Sequence, residues 1–286
     1  MGCPGWPLCY GNVAPTHGFH AQMEQSHRYL ASIVTVLVIA TFLLVRMHRP
    51  RLNKMMLPSI CSVVLILVQV VLGAVTVITH NAPITVALHL ITGLVFAGAT
   101  TVTYVASIFP EVEGVSATCK TFGAKQKFLP GFRSYQSFVA LVATFLVMIS
   151  GSIVVDGGGE KSCPGWPICS FKEMFSPLGL TQLAHRSIVL IASIAIGLFL
   201  YSALKDWRDV PRLYLVSYAL AGLLCIQIGV GAASAIFKAP SALQDIHLAF
   251  AAGIWITLVI LVSLGWYSLH PQEVLDYTQD FQDHRE

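Results

Sequence analysis

The sequence predicts an all-α polytopic membrane protein assembled as two pseudo-symmetric helical bundles, and three observations predict it. Of its 286 residues, 55% are hydrophobic and 11% charged, with a mean hydropathy of +0.71; a water-soluble domain carries about 25% charged residues. Seven apolar stretches reach the roughly 20 residues that a helix needs to cross a bilayer. The later part of the chain also repeats the earlier part. Lipid offers the backbone no hydrogen-bond partner, so the spans are expected as helices rather than open sheet.

The spans are expected near 24–47, 56–79, 83–108, 132–155, 179–204, 210–237 and 242–267. Basic residues orient them. Arg46, Arg49, Arg51 and Lys54 follow the first span; Lys120, Lys125, Lys127 and Arg133 follow the third; Lys205, Arg208 and Arg212 follow the fifth. Only Lys161, Lys172 and Lys238 stand on the opposite side. The positive-inside rule places the larger group in the cytoplasm and the N-terminus outside. The net charge of +3 follows from this topology and implies no nucleic-acid partner. No charged region with a cleavage site precedes the first span, so no cleavable signal peptide is expected.

The repeat is read residue by residue. CPGWPLC at Cys3–Cys9 recurs as CPGWPIC at Cys163–Cys169. His27, Arg28, Gln69, Gly73, Ala74 and His89 recur as His185, Arg186, Gln227, Gly231, Ala232 and His247, all at an offset of 158. Residues 1–108 therefore form an N-terminal half with three helices. Residues 109–131 are a cytoplasmic linker, 132–268 a C-terminal half with four helices, and 269–286 a cytoplasmic tail. The first helix of the later half, 132–155, has no counterpart ahead of Cys3, and a start further upstream is the expected reading.

Histidine inside a membrane helix is costly and commonly functional. In each half one histidine is expected to open the helix after the cysteine loop, and the second to lie a turn or two into the last helix. Paired imidazoles at similar depth suit a flat macrocycle with iron at its centre, because haem iron takes axial histidine and bundle cores hold such cofactors. Zinc would require further ligands. The alternative is four structural histidines. Arg28 and Arg186 are candidates for haem propionate contacts, or else for snorkelling to headgroup phosphates. Glu24 shares a helical face with His27, and its repeat counterpart is the uncharged Gln182. That carboxylate is a candidate general base or charge stabiliser, or an interfacial helix-start residue. Cys3 with Cys9, and Cys163 with Cys169, are candidate loop disulfides on an oxidising face, either structural or redox-active. Cys61, Cys119 and Cys225 are expected to be inert, and His17, His20 and His80 interfacial.

Together, CPGWPLC, Glu24-x-x-His27-Arg28, the stretch Thr79–His89, CPGWPIC, His185-Arg186 and His247 resemble the haem A synthase family, which serves cytochrome oxidase assembly. The resemblance spans nearly the whole chain and implies eight transmembrane helices in two four-helix bundles, where seven are visible here. It implies haem b held by His185 and His247. It also implies haem O as substrate near His27 and His89, with Glu24 important for oxidation of a ring methyl to a formyl group. Implied partners are the farnesyltransferase that makes haem O, an unidentified electron acceptor, the lipid bilayer and a homo-oligomer. The bacterial cytoplasmic membrane is the expected location, with cysteine loops and haem sites toward the outer face. A dihaem b-type electron-transfer cytochrome is the alternative, and a seven-helix receptor or transporter without haem is a weaker third.

Overall fold

The computed structural model describes residues 2–3, 5–13, 18–48, 52–108, 134–208 and 210–269. Among the described residues eight helices follow one another: α1 (Phe19–Met47), α2 (Asn53–Ile78), α3 (Pro83–Ser107), α4 (Ser134–Asp156), the single-turn α5 (Phe171–Met174), α6 (Pro177–Asp206), α7 (Pro211–Ile236) and α8 (Ser241–Leu269). Among the described residues β pairing is limited to one bridge between Cys9 and Asn12. All but α5 are long and apolar enough to cross a membrane, and the chain is a multi-pass membrane protein. Most of the linker and tail, with Arg49, Arg51, Lys120, Lys125, Lys127, Arg133, Cys119 and His17, lies outside the described residues.

The helices are longer than the apolar stretches. The first starts at Phe19 rather than near 24, because an intrahelical backbone needs no lipid and continues through the polar Gln22 and Glu24. The start of α6 is set by Ser176, whose hydroxyl accepts the Gly179 N–H at 3.0 Å, and by Pro177 in the first turn, a residue preorganised for that position. Hydropathy alone could not find α5, which is four residues long and capped by Ser170.

In the later half α4, α6, α7 and α8 close into a ring: α4 packs on α6, α6 on α7, α7 on α8 and α8 on α4. In the earlier half α1 packs on α2 and α2 on α3, while α3 turns its other side to α8 and α4. The main core of the later half lies toward the end remote from the cysteine loops. It joins Ile196, Phe199, Leu200 and Ala203 of α6 to Leu213 and Leu220 of α7 and to Leu258, Leu261 and Leu264 of α8. A second cluster, Leu94, Met148, Trp255 and Val259, sits where the halves meet. There the buried Trp255 indole N–H donates to the Leu94 carbonyl at 2.8 Å.

The two hairpins α2–α3 and α7–α8 turn in the same way. His80 and Asn81 have φ of 56° and 60°, and Lys238 and Ala239 have φ of 58° and 54°. Asn81 N–H donates to Thr76 O at 2.8 Å and Ala239 N–H to Ser234 O at 2.7 Å, satisfying carbonyls that a helix end leaves open.

Trp255→Phe removes the indole donor that joins α8 to α3. It is expected to lower stability by about 1 kcal/mol, the scale of a membrane hydrogen bond with some lost packing, read as a shift in the unfolding midpoint in mixed micelles.

Candidate functional site

Both helices of each histidine pair begin at the end that carries the disulfide loops. His27 and His185 stand eight residues past the first residues of α1 and α6, and His89 and His247 six past those of α3 and α8. At 1.5 Å per residue these are depths of about 12 Å and 9 Å, so partners lie at similar levels. His27 and His185 do not open their helices as expected; they sit two turns inside, because those helices start earlier.

In the later half both rings are held at one edge. Ser150 Oγ lies 2.8 Å from His185 Nδ1 and donates its own proton to Val147 O at 2.8 Å. A hydroxyl has one proton, so here it accepts from Nδ1–H, and Nε2 is the bare nitrogen. The Gln227 amide lies 3.3 Å from His247 Nε2, while Nδ1 of that ring and Oε1 of that amide are buried without a partner. Turned end for end, the amide offers Oε1 to the ring N–H. Both rings rest on glycine. A Cβ at Gly231 would lie 2.9 Å from His247 Cε1, and one at Gly151 would lie 3.3 Å from His185 Cε1.

The earlier half is fitted differently. Gln69 Nε2 donates to the backbone oxygen of His89 at 2.9 Å, and its Oε1 lies 3.2 Å from Thr92 Oγ1, whose one proton also has Leu88 O within 2.7 Å. The amide is thereby spent on backbone and hydroxyl, and His89 Nδ1 is buried with no partner. A Cβ at Gly73 would lie 3.5 Å from His89 Cε1, an ordinary contact. His27 is exposed, and its ring makes no hydrogen bond among the described residues.

Cys3–Cys9 and Cys163–Cys169 form disulfides, and each loop is tied to the helix of the first histidine. Arg28 NH1 donates to Gly5 O at 2.8 Å and Pro7 O at 3.1 Å; Arg186 NH1 donates to Gly165 O and Pro167 O at the same two distances. These arginines, read from sequence as propionate or headgroup contacts, are engaged with loop carbonyls. The second guanidinium nitrogen differs between halves. In Arg28 it pairs with Glu24 Oε1 at 2.8 Å; in Arg186 it donates to Cys163 O at 2.8 Å. Glu24 Oε2 also accepts the N–H groups of Gly2 and Cys3, both at 3.0 Å. Gln182, lacking charge, instead donates to Gly159 O and Glu160 O.

Ser150 is the residue that sequence reasoning missed. It precedes the repeated segment and has no counterpart to flag it, although a Ser-Gly pair within an apolar helix is a faint signal. Cys61 and Cys225 are free and exposed. His20 and His80 are exposed near the disulfide-loop end. Among the described residues no three His, Cys, Asp or Glu side chains group to hold a metal ion unaided.

Residues 16–259 match the COX15-CtaA family model, described as cytochrome oxidase assembly protein. The chain belongs to that family. It is similar to the heme A synthases of Bacillus cereus strain 03BB102 and Bacillus anthracis strain CDC 684, each 24% identical over 273 residues covering 93% of this chain and 84% of the relative. That of Bacillus cereus strain G9842 is 23% identical over the same shares.

Glu24→Gln keeps the shape but loses the ion pair and one acceptor for the loop amides. Hydrogen bonds to charged groups are worth about 1.5–3 kcal/mol, less where solvent screens them. Amides of residues 2–9 are expected to exchange about tenfold faster in hydrogen–deuterium measurements, with the 163–169 loop unchanged.

Proposed function

We propose that this chain is a haem A synthase, oxidising a ring methyl of haem O to a formyl group to give haem A. Family membership and the synthase relatives make it an oxidoreductase. In this reading His185 and His247 hold haem b as the resident cofactor, and haem O enters between His27 and His89. When bound, haem b supplies a one-electron carrier that passes reducing equivalents from the substrate site to an acceptor. Support for axial ligation comes from the buried, partnerless Nδ1 of His89 and His247, the bare Nε2 of His185, and the glycines against three of the rings, which let the imidazoles pack close to a neighbouring helix.

The observation that carries the reading is the charged Glu24–Arg28 pair at 2.8 Å beside His27, where the other half has Gln182. Two equivalent electron carriers need no such difference. Removing electrons from a ring methyl builds positive charge in the transition state, and a fixed carboxylate nearby favours it. Both Glu24 oxygens already accept hydrogen bonds, which supports charge stabilisation and loop anchoring over proton abstraction. The arginines fix the loops as lids over both sites rather than gripping propionates. By the positive-inside rule the disulfide loops face outward across a bacterial cytoplasmic membrane, next to a farnesyltransferase supplying haem O. The second reading, a dihaem b-type cytochrome, is favoured by the near identity of the two loop clamps.

His185→Ala or His247→Ala is expected to abolish the stable haem b Soret band. Glu24→Gln is expected to keep haem but to lower haem A formation about a hundredfold or more, measured by extracting haem from membranes supplied with haem O. Normal haem A accumulation in that variant sinks the role given to Glu24, and the dihaem cytochrome then stands. Gly231→Ala, which drives a methyl to 2.9 Å from the His247 ring, is expected to cost more haem than Gly73→Ala.

A further inference from the structure

A histidine that ligates a metal nearly always gives its other ring N–H to a second partner, which fixes the ring and raises its basicity. The two halves differ in this respect, and the difference can be followed to single residues. In the later half Ser150 takes His185 Nδ1–H, and the Gln227 amide faces the His247 ring at 3.3 Å. In the earlier half the repeat counterpart of Gln227, Gln69, is turned away to the His89 backbone oxygen. The cause is local. A Cβ at Gly93 would lie 2.5 Å from Gln69 Nε2, so the amide occupies the space of a missing methyl, and Thr92 holds its far end. At the 158 offset Gly93 becomes Ala251 and Thr92 becomes Phe250. The methyl is present there and the hydroxyl is gone, which leaves the Gln227 amide to meet the ring.

We propose that Ser150 and Gln227 are positioning residues that lock His185 and His247 as permanent axial ligands, and that Gly93, by drawing Gln69 off the His89 ring, makes the N-terminal pair an exchangeable site. This rests on the haem reading above and gives it a physical basis: one site retains its haem, and the other binds and releases. No chemical step is added. Losing a partner of this kind costs about 10- to 100-fold in metal affinity, enough to separate a cofactor from a substrate that must leave.

The test uses the full-length protein, purified in detergent and loaded with haem b, with transfer to excess apomyoglobin as the clock. His89→Ala isolates the C-terminal site, and His247→Ala isolates the N-terminal one. Release is expected about tenfold or more faster from the N-terminal site. On the His89→Ala background, Gln227→Leu is expected to speed release about 10- to 100-fold and to raise the midpoint potential, because the ligand becomes less basic. Ser150→Ala acts the same way through the other ring and serves if the Gln227 variant does not fold. On the His247→Ala background, Gln69→Leu is expected to change release less than twofold, and Gly93→Ala to slow it. Unchanged release and potential in Ser150→Ala or a folded Gln227→Leu overturn the proposal. So does a Gln69→Leu effect as large as that of Gln227→Leu. On the His89→Ala background, a haem spectrum that survives both His185→Ala and His247→Ala overturns instead the haem placement beneath it.

Discussion

The guanidinium groups of Arg28 and Arg186 hold the frame in which each histidine pair works. One residue along a helix is a turn of about 100°, so an arginine directly after a histidine leaves the helix on a different side. The ring can face the bundle while the arginine reaches the loop. The carbonyls of Gly5, Pro7, Gly165 and Pro167 belong to no helix, and at a membrane boundary such groups need donors. A planar fork with five N–H groups satisfies two or three of them at once; a lysine offers a point charge without that geometry. Loop and ring therefore hang from one helix.

On that shared frame the halves carry different polar fittings. At the loop, a carboxylate stands in one half and an amide in the other, and the surrounding bonds reverse: Glu24 accepts backbone N–H groups where Gln182 donates to carbonyls. At the second histidine, a threonine and a glycine stand opposite a phenylalanine and an alanine. The exchange at the loop alters little volume, and together the exchanges redirect a charge and an amide. In a low-dielectric interior such redirections weigh more than they do in water.

The spans and the duplication were legible because lipid imposes a long apolar run on each crossing and because offset arithmetic survives divergence. Helix ends were less legible. Hydropathy reports the lipid-facing length, whereas α1 and α6 run on past it and place His27 and His185 two turns in from their first residues. The role of the arginines was out of reach, since no pattern along the chain tells that the cysteine loops fold back onto the following helix. Gln69 and Gln227 were visible as a repeated pair, yet their divergence depends on one methyl at 93 or 251 seen against an amide in three dimensions. Ser150 lay outside the repeat that exposed its partners.

The turns that launch α3 and α8 keep one backbone shape with unlike side chains. Left-handed backbone costs a non-glycine residue about 1–2 kcal/mol, and each turn holds two such residues, His80 with Asn81 and Lys238 with Ala239. No side-chain chemistry is common to those pairs, so the shape is imposed by the helices that flank it and by the carbonyls it closes. Each hairpin thus behaves as a cassette whose elbow is dictated by its arms. The depth at which His89 and His247 hang is a property of that cassette, buffered against change at the elbow itself, which leaves the surface of the turn free to diverge toward different neighbours in the two halves.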